Sequence, residues 1–266
     1  MFQVQTTDYT HADTSVPKIY RKSHLSAGSR VCLDFLDPQT YGLAETGAVP
    51  SQMAVGSSFK DLTDAAANCP MTTPAAVLVN GAGLKFTAAT GQYVALPDAA
   101  KLAAGATLFA FGAWIKSRDN SGDANLYSPI AGFLTNTQVA NCQWVIQRAQ
   151  ANGGTSYTGQ CSVSSVTVTV ANDEVACILW VGSVSAGKLT VRGYKNGVLI
   201  GTQTAALTDG VLPVPVATPR VGHVNGYNQS CNAEVGMFTF EDLSAGHLSE
   251  AEFVSRFYAD NVGRYA

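Results

Sequence analysis

Between residues 75 and 242 the chain is a succession of short apolar and β-branched runs with no segment of crossover-helix length between them. The runs are AAVLVNG (75–81), GLKFTA (83–88), QYVALP (92–97), TLFAFGAWIKS (107–117), QWVIQR (143–148), CSVSSVTVTVA (161–171), EVACILWVGSV (174–184), KLTVRGYKNGVLIGTQTA (188–205), PRVGHV (219–224) and EVGMFTFED (234–242). Gly, Pro, Asn and Asp punctuate them at intervals of roughly 8–12 residues, the spacing of a β-sandwich or barrel. Alternating βα units would need helices that are not there, so a doubly wound α/β fold is disfavoured. Val166, Val168 and Val170 alternate with Thr167 and Thr169, which gives that strand one apolar face. The first half of 107–117 is nearly all apolar and predicts a central strand covered on both sides. Asn196-Gly197 joins two alternating runs, and both residues tolerate the positive φ of a two-residue hairpin turn. With VCLDFLD (31–37) as an opening stretch, the pattern predicts an all-β fold of about ten to twelve strands. Residues 38–74 read as Pro/Gly/Ser-rich loops with one helical turn at SFKDLTDAA (58–66), and 118–141 as a polar loop apart from YSPIAGFL.

The end of the chain breaks the β pattern. In GHLSEAEFVSRFYAD (246–260), Ser249 and Glu252 have the spacing of a capping box, and Leu248 and Phe253 that of a hydrophobic staple. Phe253, Val254, Phe257 and Tyr258 then share one helical face, with Glu250, Ser255 and Arg256 turned away. A short, well-started C-terminal helix is expected.

Composition narrows the function classes. Charged residues are 13% of the chain and the formal net charge is −3, with no basic stripe of the kind nucleic-acid binding needs. No stretch approaches the roughly 20 apolar residues of a membrane span. The first residues are polar and lack the apolar centre of a secretory signal; residues 1–30 read as an extended N-terminal arm and 31–266 as one sandwich domain. Cys32, Cys69, Cys142, Cys161, Cys177 and Cys231 are scattered, with no CxxC, which argues against structural zinc. Three disulfides remain open to them, while free buried thiols fit better a chain without an export signal.

Four stretches in order carry a resemblance: LKFTAATGQYVALPDAAKL (84–102), TLFAFGAWIKS (107–117), LTVRGYKNGVLIGTQTA (189–205) and the closing PRVGHVNGYNQSCNAEVGMFTFEDLSAGHLSEAEFVSRFYAD (219–260). Together they resemble the concanavalin A-like lectin/glucanase superfamily, in its laminin-G-like and pentraxin-like branch. The resemblance covers about residues 75–262, and it implies a two-sheet antiparallel jelly-roll sandwich closed by a small helix. The chain departs from that pattern at CILWVGSV (177–184), which has Trp180 but none of the histidines often found there.

The superfamily includes glucanases, whose paired carboxylates lie as Glu-x-Asp-x-x-Glu on one strand. No such stretch occurs. The acidic pairs are adjacent, Asp173-Glu174 and Glu241-Asp242, and neighbours on a strand point to opposite faces. YKNGVLIGTQ matches the alginate-lyase Tyr-x-Lys-x-Gly stretch only superficially, with the wrong spacing. No catalytic residue, metal site or cofactor is therefore assigned. Asp119, Asn120, Asp123 and Asn125 are oxygen ligands of the type calcium takes, yet without EF-hand spacing they read as a solvated loop. For a ligand, GHVNGYNQSCN (222–232) offers His223, Asn225, Tyr227 and Asn228, an aromatic beside amides on a loop. Trp114, Trp144 and Trp180 lie within strand patterns and read as core.

These features and the resemblance lead to an expectation: a non-enzymatic virion component of a bacteriophage, in a decoration, tail or baseplate position. The arm would dock on other virion proteins and the sandwich would face outward, with host glycans as candidate ligands. The alternatives are a stand-alone carbohydrate-binding or adhesion module and, further off, a polysaccharide-degrading enzyme.

Overall fold

In the computed structural model the described residues are 22–54, 56–63, 67–72, 77–79, 82–86, 91–103, 105–119, 127–134, 142–149, 155–214, 216–227 and 232–265. They form sixteen strands: β1 (Ser29–Asp34), β2 (Ser58–Lys60), β3 (Asn68–Thr72), β4 (Val77–Val79), β5 (Gly83–Lys85), β6 (Tyr93–Ala95), β7 (Leu108–Lys116), β8 (Tyr127–Gly132), β9 (Val145–Ala149), β10 (Ser156–Cys161), β11 (Ser164–Thr169), β12 (Val175–Ser185), β13 (Lys188–Lys195), β14 (Val198–Ala206), β15 (Arg220–Gly222) and β16 (Glu234–Glu241). Two helices follow, α1 (Glu250–Ala259) and α2 (Val262–Tyr265). The first sheet runs β14-β13-β12-β7-β16-β5-β4, with β1 also paired to β16; the second runs β11-β10-β9-β8-β15-β6-β3-β2. Their strand pairs are antiparallel, β1 to β16 and β12 to β7 among them. The all-β sandwich with a C-terminal helix is as the sequence predicts, with more and shorter strands.

The core lies between the sheets. Phe109, Phe111, Trp180, Phe238 and Phe240 from the first sheet meet Trp144, Ile146, Tyr157, Val166 and Val168 from the second, all buried. Trp144 stacks on Phe240 at 5.2 Å and on Phe238 at 5.5 Å. Each core indole also satisfies its N–H, Trp144 on the Ala100 carbonyl at 3.1 Å and Trp180 on the Val166 carbonyl at 2.9 Å, which is what lets such a ring be buried without a polar penalty. Trp114 is buried too, on the outer side of the first sheet.

Over β7, β12 and β16 that outer side is covered. Ala110, Trp114, Cys177, Leu179, Val181 and Met237 lie under Phe253, Val254 and Phe257 of α1. The capping box forms as expected, with the Ser249 hydroxyl accepting from the Glu252 amide and the Glu252 carboxylate accepting from the Ser249 amide. Glu250 does not turn away. Its carboxylate accepts from Arg192 at 2.5 Å and 2.6 Å and from the Tyr194 hydroxyl at 2.5 Å, tying the helix start to β13.

Residues 22–30, inside the segment the sequence pattern assigns to an arm, pack on this same side. Leu25 and His24 are buried, and the His24 ring meets Phe257 edge-on at 5.2 Å. Lys22 and Arg264 hold the buried Asp34 carboxylate, with the Tyr265 hydroxyl donating to it at 2.9 Å. Burial alone would raise the Asp34 pKa, and the two cations hold it below the usual carboxylate range instead.

Three local expectations are corrected. SFK (58–60) is strand β2 and not a helical turn, because Phe59 is buried against Phe35 at 5.0 Å and Tyr41 at 5.5 Å. Residues 161–171 are not one strand: Cys161 ends β10, Ser162 adopts φ 45°, and β11 returns as a hairpin. Asn68–Thr72 is strand β3 within what reads as loop. The hairpin at Asn196-Gly197 forms with φ of 52° and 78°, as predicted. Among the described residues, Cys32, Cys69, Cys142, Cys161 and Cys177 are free and buried; Cys231 lies outside them.

Candidate functional site

With β7, β12 and β16 of the first sheet covered by α1 and residues 22–30, the outer face of the second sheet is the other broad surface, exposed at Tyr127 and Thr167 and buried at Pro129, Gly132, Val145 and Gln147. Its composition follows from strand alternation. On β11, Val166 and Val168 point into the core while Thr167 and Thr169 are exposed. Directly opposed residues share a face, so the pairings define two rows. One row is Ala95, Arg220, Gly132, Val145, Gln160 and Ser165. The other is Pro129, Gln147, Thr158 and Thr167. The Thr158 and Thr167 hydroxyls are hydrogen-bonded at 2.8 Å.

The loop after β15 folds over this face. Val224 and Tyr227 pack with Leu134, Cys142 and Val145 in a small cluster separate from the main core. The Tyr227 hydroxyl donates to the Gln147 side chain on β9 at 2.5 Å, and burial pushes its pKa well up. His223 is anchored twice, by its amide to the Gln92 carbonyl at 2.8 Å and by its ring Nε2 to the Tyr227 carbonyl at 2.9 Å. His223 and Tyr227 are thus bonded to each other and frame the loop. Asn225 is exposed between them, and Asn228 lies outside the described residues. Of the polar loop considered for calcium, Asn120, Asp123 and Asn125 also lie outside them, and the Asp119 carbonyl accepts from the Asn232 side chain at 3.3 Å. Among the described residues no group of three His, Cys, Asp or Glu side chains is placed to hold a metal.

Two aromatic groups on this face have no counterpart in the sequence-level reading. Tyr127, at the start of β8, is 50% exposed. Tyr93 on β6 carries the Arg220 guanidinium over its ring, 3.8 Å from the centroid. Neither has a local signal. Tyr127 heads a run flanked by loop sequence, and the Tyr93–Arg220 stack joins residues more than a hundred positions apart.

The second sheet has one further property. Its eight strands read SFK, NCPMT, YVA, YSPIAG, VIQRA, SYTGQC, SSVTVT and RVG, with Lys60, Arg148 and Arg220 and not one carboxylate. The described acids lie elsewhere. Asp173 and Glu234 pair with Arg118, Glu174 with Lys195 and Asp242 with Arg30. Glu241 is buried, accepts from the Ser26 and Ser29 hydroxyls, and is raised by that burial to about 7.

No family model matches the sequence, and no curated protein matches it either. Solved structures do match in fold. The chain is similar to the botulinum neurotoxin serotype D binding domain at a TM-score of 0.57 and 13% identity, over 89% of this chain and 51% of that one. It is similar to Trypanosoma rangeli sialidase in complex with sialic acid at 0.53 and 11% identity, over 90% of this chain and 34% of that one. The same sialidase in complex with a difluorinated nononic acid gives 0.54 and 12%, over 92% and 36%. The chain therefore spans about half of the toxin domain and about a third of the sialidase. At these identities the likeness is one of fold: the chain is a two-sheet, lectin-like β-sandwich.

Proposed function

We propose that the chain is a non-enzymatic, lectin-like binding module that presents the outer face of its second sheet to glycans and is held in a larger assembly through its N-terminal segment. The observation that carries this reading is the asymmetry of the sandwich. One outer face is covered over β7, β12 and β16 by α1 and residues 22–30, and the other offers the Thr158 and Thr167 hydroxyls and two tyrosines. Sugars are recognised by such combinations of aromatic area and fixed polar groups. The strands of that sheet carry no carboxylate, which supports a non-enzymatic reading, because most glycoside hydrolysis uses a pair of them. A sandwich of the same fold within a toxin's binding domain is consistent with a binding role. Lys22 and Leu25 pack on the covered side, so attachment through this segment leaves the second sheet's outer face unobstructed.

The test is binding of the full chain to an array of immobilised oligosaccharides. Binding that weakens several-fold in Tyr127→Ala supports the reading. Hydrolysis or eliminative cleavage of any bound polysaccharide overturns its non-enzymatic part. Placement on a bacteriophage virion is the narrower form of the proposal. Co-sedimentation with purified particles, lost when residues 1–30 are deleted, is its expected result; a free monomer in lysates overturns it.

A further inference from the structure

Arg220 differs from the other described arginines. Arg30, Arg118, Arg192, Arg256 and Arg264 each lie within ion-pair distance of a carboxylate, and Arg148 donates to Asn172 at 3.3 Å. Among the described residues Arg220 has the Tyr93 ring alone, and its Nε is buried without a hydrogen-bond partner. It is half-buried, and that burial lowers its pKa with no carboxylate among the described residues to offset it. A desolvated cation without a counter-charge is unfavourable, and mutational experience is that such groups are normally paired. Its position suits an incoming partner. The residues opposite it on the two flanking strands are Ala95 and Gly132, with no side chain long enough to wall off the guanidinium. Stacking on Tyr93 fixes the plane of the fork. The sheet that carries it has three basic residues and no acid, in a chain of net charge −3.

We propose that Arg220, held flat on Tyr93, receives the carboxylate of an acidic sugar, and that the ligands of the second sheet's outer face are uronic or nonulosonic acid glycans. The inference rests on the glycan-binding reading above and names the ligand class for it. A planar guanidinium takes a carboxylate through two parallel N–H···O bonds, a geometry that an ammonium cannot reproduce.

The experiment is calorimetric titration of the full chain with trigalacturonate and sialyllactose, beside the methyl ester of trigalacturonate and lactose as neutral counterparts. The expected result is that each acid binds at least ~10-fold more tightly than its neutral counterpart. Arg220→Ala should erase the difference, and Arg220→Lys and Tyr93→Ala should each reduce it. Thermal melting of each variant checks folding; should Arg220→Ala fail to fold, Arg220→Lys, which keeps charge and bulk, decides. Equal binding of acid and ester, or an acid preference undiminished in the Arg220 variants, overturns the inference and leaves the glycan reading standing. Failure of the chain to bind any of the four sugars overturns the inference, and the array then decides the broader reading separately.

Discussion

Glu241 and His24 are both buried on the covered side of the sandwich, and burial moves their pKa values in opposite directions. Glu241 is raised to about 7, with the Ser26 and Ser29 hydroxyls and Arg30 opposing the shift and Asp242 adding to it. A raised carboxyl contributes stability that is full below its unfolded pKa near 4.5 and lost as pH rises through about 7, on the order of ~3 kcal/mol. His24 is lowered from 6.5 by burial and by Lys22, against Asp260 and Asp34. Its contribution is full above 6.5 and is lost as pH falls below that value, because the unfolded chain takes the proton first. Over the overlap the two slopes oppose each other. Urea unfolding between about pH 5 and pH 8 should therefore show a steeper fall of stability with rising pH in His24→Gln than in the parent. Glu241→Gln should reverse the sign of the difference below about 6.5 and gain stability at pH 8. Parallel profiles for parent and variants would rule the assignment out. None of this is legible in the sequence, where Glu241 is one of an adjacent acidic pair and His24 one residue of a polar terminus. Burial of that terminus is what gives both residues their character.

The elements that sequence predicts well are those whose cause is local. The capping box of α1 needs only Ser249, Glu252 and their spacing. Ser249→Ala should accordingly lower stability by about 1 kcal/mol, seen as a shift of the urea midpoint. The hairpin between β13 and β14 likewise needs only two residues that accept positive φ. Strand β10 is different. Its sequence SYTGQC shows no apolar alternation, because one of its core-facing positions is Gly159. A Cβ there would lie 2.1 Å from the Trp180 ring of the facing sheet, so the tryptophan fills the space a side chain would take. The apolar residue belonging to that position in the pattern is thus supplied by β12. Gly159→Ala should cost at least the 1–3 kcal/mol usual for overpacking, roughly, since neither the sheet nor the ring can yield easily. A neutral effect on the melting temperature would show that Trp180 has room to move. The site follows the same division. Loop 222–228 was legible as a cluster of ligand-type residues, but that the Tyr227 hydroxyl is used by Gln147 depends on β9. The missing partner of Arg220 is a property of the fold, and no window of sequence contains it.

The whole sandwich has one outer side covered over β7, β12 and β16, and residues 22–30 belong to that side. Leu25 is buried with the α1 residues, Ser26 and Ser29 supply the hydroxyls that the Glu241 carboxylate accepts from, and Arg256 of α1 donates to the Ser23 carbonyl at 3.1 Å. Removing them would forfeit the burial of Leu25, worth about 1.5–3 kcal/mol. It would also strip a buried carboxylate of two donors, which costs a further ~1–3 kcal/mol or more. Two truncations separate this contribution from that of the residues before it. The step from deletion of 1–21 to deletion of 1–30 should lower the urea midpoint by an amount equivalent to several kcal/mol. The acid preference at Arg220, on the opposite face, should be the same in the parent and in the shorter deletion. Equal midpoints for the two truncations would mean that residues 22–30 rest on the sandwich without stabilising it, and attachment through the N-terminal segment would then have to be sought among residues 1–21 alone.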